Sequence, residues 1–279
     1  MKHFFLFAAA LASFTTNAQD FKGVAVYKSM TTMKDAVITV SGSSDPAMDA
    51  KLKEAFSKPI ENEYILYFDK TASVYEEQAK LNAPKSGGAM SSASFGIGKK
   101  YKNLKDKATL EEMDMYGKEF LITDSLKAYD WKLESETKKI GNYNCYKATY
   151  TIKAKPPTEE EKKEMENKKV NILGDFLRKD IVVTAWYTPE IPVSHGPGDY
   201  WGLPGLILEL NAASTTLLCT KVTLNPKEKI EIKTPKKGTK VTMKEFTDIM
   251  NKKAEEMQEL YRPAPGSTKV TTTTITIGG

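Results

Sequence analysis

His195 is one of only two histidines in this 279-residue chain, and it stands in the segment Pro189 to Leu210, PEIPVSHGPGDYWGLPGLILEL. Two carboxylates, Glu190 and Asp199, share that segment. An imidazole with carboxylates is a donor set that binds zinc or iron, and an imidazole beside a positioned substrate is a general base. A third reading needs no chemistry: a loop histidine hydrogen-bonded to local backbone. Tyr200, Trp201 and the upstream Trp186 supply large rings that either line an apolar groove, anchor a partner or plug one end of a sheet. Adjacency of Ser194 to His195 does not make a nucleophile–base pair, because that hydrogen bond depends on tertiary placement.

Other catalytic signatures are missing. Gly96 to Lys100 (GIGKK) has Ala93 where a P-loop needs its first Gly, and Lys100 where it needs Ser or Thr. No G-x-S-x-G elbow occurs. The other histidine is His3, inside the N-terminal segment described below, so multi-histidine metal sites are excluded from the mature chain. With 41 Lys+Arg against 36 Asp+Glu, the charge of +5 is too mild and too spread to suggest nucleic acid. No cofactor is implied.

The two cysteines, Cys145 and Cys219, both lie in strand-like apolar stretches. They are either a disulfide or a pair of buried thiols. As a disulfide they would close a loop of about 75 residues, stabilising by roughly 4 kcal/mol in the chain-entropy model.

The Pro189–Leu210 loop must be held by the elements around it. Prolines 189, 192, 197 and 204 restrict it, and Leu203-Pro204-Gly205-Leu206 fits a type II turn with Gly205 at positive φ. Leu206-Ile207-Leu208 then enters a buried strand. Around it, β-forming stretches run at Phe21 to Thr31, Ala36 to Gly42, Glu63 to Asp69 and Thr71 to Glu77, the last two as a hairpin. More follow at Thr109 to Met115, Lys118 to Asp124, Trp131 to Glu136 and Tyr143 to Lys153, spaced as an antiparallel meander. A second group runs through Asp180 to Thr188, Leu206 to Leu210, Thr216 to Leu224 and Lys229 to Lys233.

Three helices are expected. One begins at Asp45-Pro46 and buries Met48, Leu52, Ala55 and Phe56; a solvated one runs from Glu159 to Lys169 behind the capping box Thr158/Glu161. The third opens at the capping box Thr242/Glu245 and carries Met243, Phe246, Ile249, Met250, Met257, Leu260 and Tyr261 along one stripe. Asn82 to Lys100 reads as a surface loop. The fold class expected is α+β, mainly antiparallel β: a curved sheet or half-barrel with helices packed against it, forming a single domain over 19–266. Residues 267–279 are a Thr-rich tail, an edge strand or disordered.

Met1 to Ala18 has a charged start at Lys2, an apolar middle from Phe4 to Ala12 and a small-residue end, which is the pattern of a secretory signal peptide cleaved after Ala18. Its apolar run is too short to span a membrane, and no later segment is long enough either. The chain is expected to be exported, periplasmic or secreted.

Gly202-Leu203-Pro204-Gly205-Leu206-Ile207 spells GLPGLI, and the sequence resembles the GLPGLI family of exported Bacteroidetes proteins. Ile140 to Ala148 and Thr184 to Pro192 carry further matches. The resemblance implies a secreted or periplasmic protein with no established activity, so no catalytic roles carry over. The arrangement is also similar to curved half-barrel carriers of the lipoprotein-carrier type. The function expected is a non-enzymatic binding protein of the cell envelope. Its partner would be an apolar small molecule, a lipid or an envelope protein, with His195, Tyr200, Trp201, Trp186 and Asp199 as binding residues. Two rivals are a metal-dependent or hydrolytic enzyme centred on His195, and an assembly component at the outer membrane.

Overall fold

The computed structural model describes residues 21–32, 36–41, 58–78, 98–115, 117–154, 180–260 and 272–277. The segment Met1 to Ala18 expected to be a signal peptide, the two helices expected from Asp45 and from Glu159, and most of the loop from Asn82 lie outside these residues.

Fourteen strands occur among the described residues: β1 (Lys22–Thr31), β2 (Ala36–Ser41), β3 (Ile60–Asp69), β4 (Ala72–Glu77), β5 (Lys99–Asn103), β6 (Ala108–Met115) and β7 (Lys118–Ser125) come first. They are followed by β8 (Lys132–Ile140), β9 (Tyr143–Ile152), β10 (Ile181–Thr188), β11 (Leu206–Ala212), β12 (Thr215–Leu224), β13 (Thr239–Val241), the helix α1 (Met243–Leu260) and β14 (Thr272–Ile277). Twelve strands form one sheet in the order β13-β7-β6-β5-β4-β3-β1-β12-β11-β10-β9-β8, while β14 pairs antiparallel with β2 in a separate ribbon. Two meanders, β3 to β7 and β8 to β12, are joined through β1, which pairs antiparallel with both β3 and β12. Only β13 joins in parallel, on β7.

The connection from β7 to β8 forces this sheet to roll. The two strands lie ten places apart in the sheet order. At ~4.8 Å per strand a flat sheet would separate them by roughly 48 Å, yet the connection from 126 to 131 reaches no more than about 25 Å even when fully extended. Core packing agrees with the roll. Tyr27 of β1, Leu66 and Phe68 of β3, Tyr75 of β4, Cys145 of β9 and Leu208 of β11 share one buried apolar cluster. The sheet nonetheless stays open at its β13 and β8 edges.

Strand β11 buries both faces. Cys145, Leu206 and Leu208 belong to that first cluster, whereas Ala148, Val183, Ala185, Ile207 and Leu210 build a second. Burial on both sides explains why Leu206 to Leu208 shows no polar alternation.

The fold class must be corrected from α+β to mainly β. The only helix among the described residues, α1, packs at one edge of the sheet instead of covering a face. Its Phe246 ring meets Phe120 of β7 edge-on at 5.3 Å, while Met243 and Ile249 of the expected apolar stripe stay exposed. The capping box is present: Glu245 N–H donates to Thr242 Oγ1 at 3.2 Å, and Thr242 N–H donates to Glu245 Oε2 at 2.7 Å. The stretch Lys229 to Lys233 forms no strand; its Ile232 lies across the cluster of Ala72, Val74 and Tyr101 instead of extending an edge. Conversely, β5 was hidden in the sequence by its three lysines.

Candidate functional site

Between β10 and β11, residues 194–202 fold into a small hairpin. Gly202 N–H donates to Ser194 O at 3.1 Å, His195 bridges Trp201, and Tyr200 N–H donates to Pro197 O at 3.1 Å across the tip. Gly198 takes the positive φ of 56° that such a tip requires. The type II turn expected at Leu203 to Leu206 is not formed. Gly205 is absent from the left-handed positions, and Gly202 takes φ 96° instead. Gly205 is needed for a close approach: a Cβ there would lie 2.2 Å from Thr188 O. Leu206 N–H then donates to Ile191 O, and Leu203 is buried in the second cluster.

The inward side of this hairpin is clamped by β5. Lys100 and Lys102 are two residues apart on one strand and so share a face, while Tyr101 points to the other. Lys102 Nζ, fully buried, donates to Gly196 O at 2.9 Å and to Tyr200 O at 3.0 Å. Burial, opposed by the Asp199 charge and reinforced by Lys100, brings its pKa down to about 7. Lys100 Nζ sits 2.6 Å from Asp199 Oδ1 and 3.1 Å from Glu111 Oε2. Burial works against its charge, but the two carboxylates outweigh it and hold the ammonium above the ordinary lysine value. Glu111 shares its cation with Asp199, and burial pushes its carboxyl up.

His195 is sealed beneath the same hairpin. Its Nε2 lies 3.0 Å from Asp69 O, a carbonyl that can only accept, so Nε2 carries the proton and Nδ1 is the bare nitrogen. Nδ1 has no hydrogen-bond partner among the described residues. Burial first, then the Lys102 charge, lowers the imidazole pKa to about 3, so the ring is neutral. The two carboxylates of its segment are engaged elsewhere: Asp199 with Lys100, and Glu190 Oε1 accepting from Asn144 N–H at 2.8 Å. Among the described residues no cluster of three His, Cys, Asp or Glu side chains could hold a metal. The geometry therefore makes His195 a backbone-bonded residue of the loop.

The outward side of the hairpin meets the β7–β8 connection. Trp201 Nε1 donates to Lys127 O at 2.7 Å and Trp131 Nε1 donates to Trp201 O at 2.9 Å, so each indole fastens the other's backbone segment. Tyr129 and Tyr200 lie 5.3 Å apart, Tyr129 and Tyr150 meet edge-on at 5.3 Å, and Trp131 packs against Tyr150 and Tyr200. Beside these rings is a groove of about 410 Å³, lined by Tyr129, Tyr200, Leu126, Ile152 and Met243 and, in equal number, by the polar residues Thr109, Asp124, Ser125, Lys127 and Asp199. That volume falls in the range of small-molecule sites.

The expected binding residues thus separate. Tyr200 and Asp199 line the groove, Trp201 braces its wall, and His195 is buried behind it. Trp186 belongs to another place: it packs on the first cluster, with Lys138 Nζ 4.3 Å from its ring centroid. Cys145 and Cys219 are both buried free thiols in that cluster. Burial pushes them up to about 11 and about 12, far from the range of a reactive thiolate. Sequence reading missed Lys100, Lys102, Lys127, Tyr129 and Tyr150. An available signal was the alternation of Lys100 and Lys102 around Tyr101, which fits a strand, and the Tyr129-x-Trp131 pair.

A family model described as a protein of unknown function (Porph_ging) matches residues 131–209. That span holds β8 to β10, the hairpin and the start of β11. No curated protein matches the chain. Among solved structures, two crystal forms of PNGF-II align over 83% of this chain, at 15% and 14% identity with TM-scores of 0.49 and 0.48. This chain spans about a third of the PNGF-II chain (33%). LprF from Mycobacterium bovis aligns over 77% of this chain and 90% of its own, at 12% identity and a TM-score of 0.22.

Proposed function

We propose that this chain is an exported, non-enzymatic binding protein of the GLPGLI type, and that it takes a small, mostly apolar molecule in the groove beside Tyr129 and Tyr200. One observation carries this reading. Three separate segments, the β7–β8 connection, the end of β9 and the hairpin tip, converge to put Tyr129, Trp131, Tyr150 and Tyr200 side by side, and a ligand-sized groove lies against two of these rings, Tyr129 and Tyr200. Aromatic and aliphatic side chains combined with convergent polar groups are what small-molecule sites share. The N-terminal segment and the GLPGLI hexapeptide support export to the envelope.

The test is a titration of the ¹⁵N-labelled chain, without its first 18 residues, with hexanol. Selective shifts of the Trp131 and Trp201 indole N–H signals are expected, and Tyr129→Ala should abolish them. Saturating shifts confined to signals remote from the groove would refute the assignment.

A further inference from the structure

The groove carries a charge pattern as well as rings. Lys127, itself exposed, holds its ammonium 5.3 Å from the Tyr129 ring centre and 5.5 Å from that of Tyr150. Ring faces carry negative potential, and an ammonium within about 6 Å is attracted to them. Asp124 and Asp199 both line the groove, and Asp124 accepts from Ser125 N–H through Oδ1 at 2.8 Å. Asp199 bonds Lys100 through Oδ1, yet 60% of its side chain remains exposed. The same field is felt by the phenols: burial first, then the Asp199 charge, raises the Tyr129 hydroxyl well above its ordinary value.

We infer that the groove accepts an organic cation, an ammonium head on a short apolar body, and that the Lys127 ammonium occupies the head-group position until such a ligand displaces it. The inference rests on the groove being the binding site and adds the charge of its ligand. The body would lie along Tyr200 and Met243, and the head over Tyr129 with Asp124 and Asp199 behind it. The Lys127 side chain is exposed, so it can swing to solvent without disturbing the Trp201 indole bond that fixes its carbonyl. An anion-binding groove would use Lys127 as its recognition group, and this gives the two charge assignments opposite signs in one variant.

The experiment compares hexyltrimethylammonium, hexanol and hexyl sulfate, titrated into the wild-type chain and into Lys127→Ala, with Asp124→Asn as a second variant. Affinity is read from the Trp131 and Trp201 indole signals. The expected order is cation, then alcohol, then sulfate. Lys127→Ala should tighten the cation about two- to fivefold, the worth of one displaced exposed cation–π contact. Asp124→Asn should weaken the cation more than it weakens hexanol. Hexyl sulfate binding more tightly than the cation, or Lys127→Ala weakening the cation, would overturn the inference. So would equal affinities for cation and alcohol, an outcome that would still leave the groove as the binding site. Indole signals unmoved by all three probes would overturn both.

Discussion

On its inward side the hairpin of residues 194–202 gives up its contact with water: His195 and Gly196 are buried, and Lys102 spends two of its three donors on hairpin carbonyls. On its outward side Asp199 keeps more than half of its side-chain surface in solvent and Tyr200 faces a groove. Nine residues of chain therefore serve two regions with opposite demands. The inward region spends polar groups on fixing position, at the cost of a buried lysine and a neutral histidine. The outward region leaves its polar groups partly unspent beside aromatic faces. A buried charge with good hydrogen bonds specifies geometry, whereas a half-exposed carboxylate beside rings is available to a ligand.

Substitutions on the inward side should cost stability, and those on the outward side should cost binding. The largest effect is expected just beyond the hairpin, from Gly205→Ala, whose Cβ would collide with the Thr188 carbonyl and force β10 from β11. A loss of about 3 kcal/mol is expected, in the upper range for overpacking, read from urea unfolding. Lys102→Ala leaves one buried and one part-buried carbonyl without this donor but also removes a buried charge. The net loss should be about 2 kcal/mol, with faster amide exchange confined to 194–202. A loss from Lys102→Ala no larger than that of a surface substitution would break the comparison.

The inward side should also shape the response to acid. His195 stays neutral in the folded chain down to a pKa of about 3, while in the unfolded chain it titrates near 6.5. Between those values the unfolded chain binds a proton that the folded chain does not, so stability falls as pH drops from about 6.5 toward 3. His195→Phe should flatten that part of the profile. Lys102 acts in another window. Its folded pKa of about 7 lies below the unfolded value, so its contribution makes stability rise with pH from about 7 toward the ordinary lysine range.

Much of this architecture was legible because β alternation and turn spacing survive in the sequence. The hairpin β3–β4, the strands β6 to β12 and the Thr242/Glu245 cap all announce themselves by local chemistry. β5 does not: Lys99, Lys100 and Lys102 look like a solvated charge run, and only the carboxylates of Glu111 and Asp199 and the carbonyls of the hairpin make burying two of them tolerable. The site was half visible. Tyr200 and Asp199 stood out because they lie in the proline- and glycine-rich loop, but their partners Tyr129 and Tyr150 come from segments 71 and 50 residues earlier, brought over by the roll of the sheet. The expectation of helices packed on the sheet failed because the only helix among the described residues, α1, packs at the β7–β13 edge, while residues of the sheet's own strands fill its inner cluster.

The smallest stability effects belong to the outward side. Tyr129→Ala should reduce hexanol affinity at least about tenfold, which is a loss of roughly 1.4 kcal/mol in binding, while leaving the acid-unfolding profile in place. Asp199→Asn removes one exposed ion-pair partner of Lys100 and should cost about 1 kcal/mol of stability or less, measured by thermal unfolding.

The division between the two sides is tested most directly by a crystal structure of the chain soaked with hexyltrimethylammonium. The expected result is density for the probe against Tyr129 and Tyr200, with the hairpin still bonded to Lys102. Density beneath a lifted hairpin, against Lys102 and His195, would contradict it.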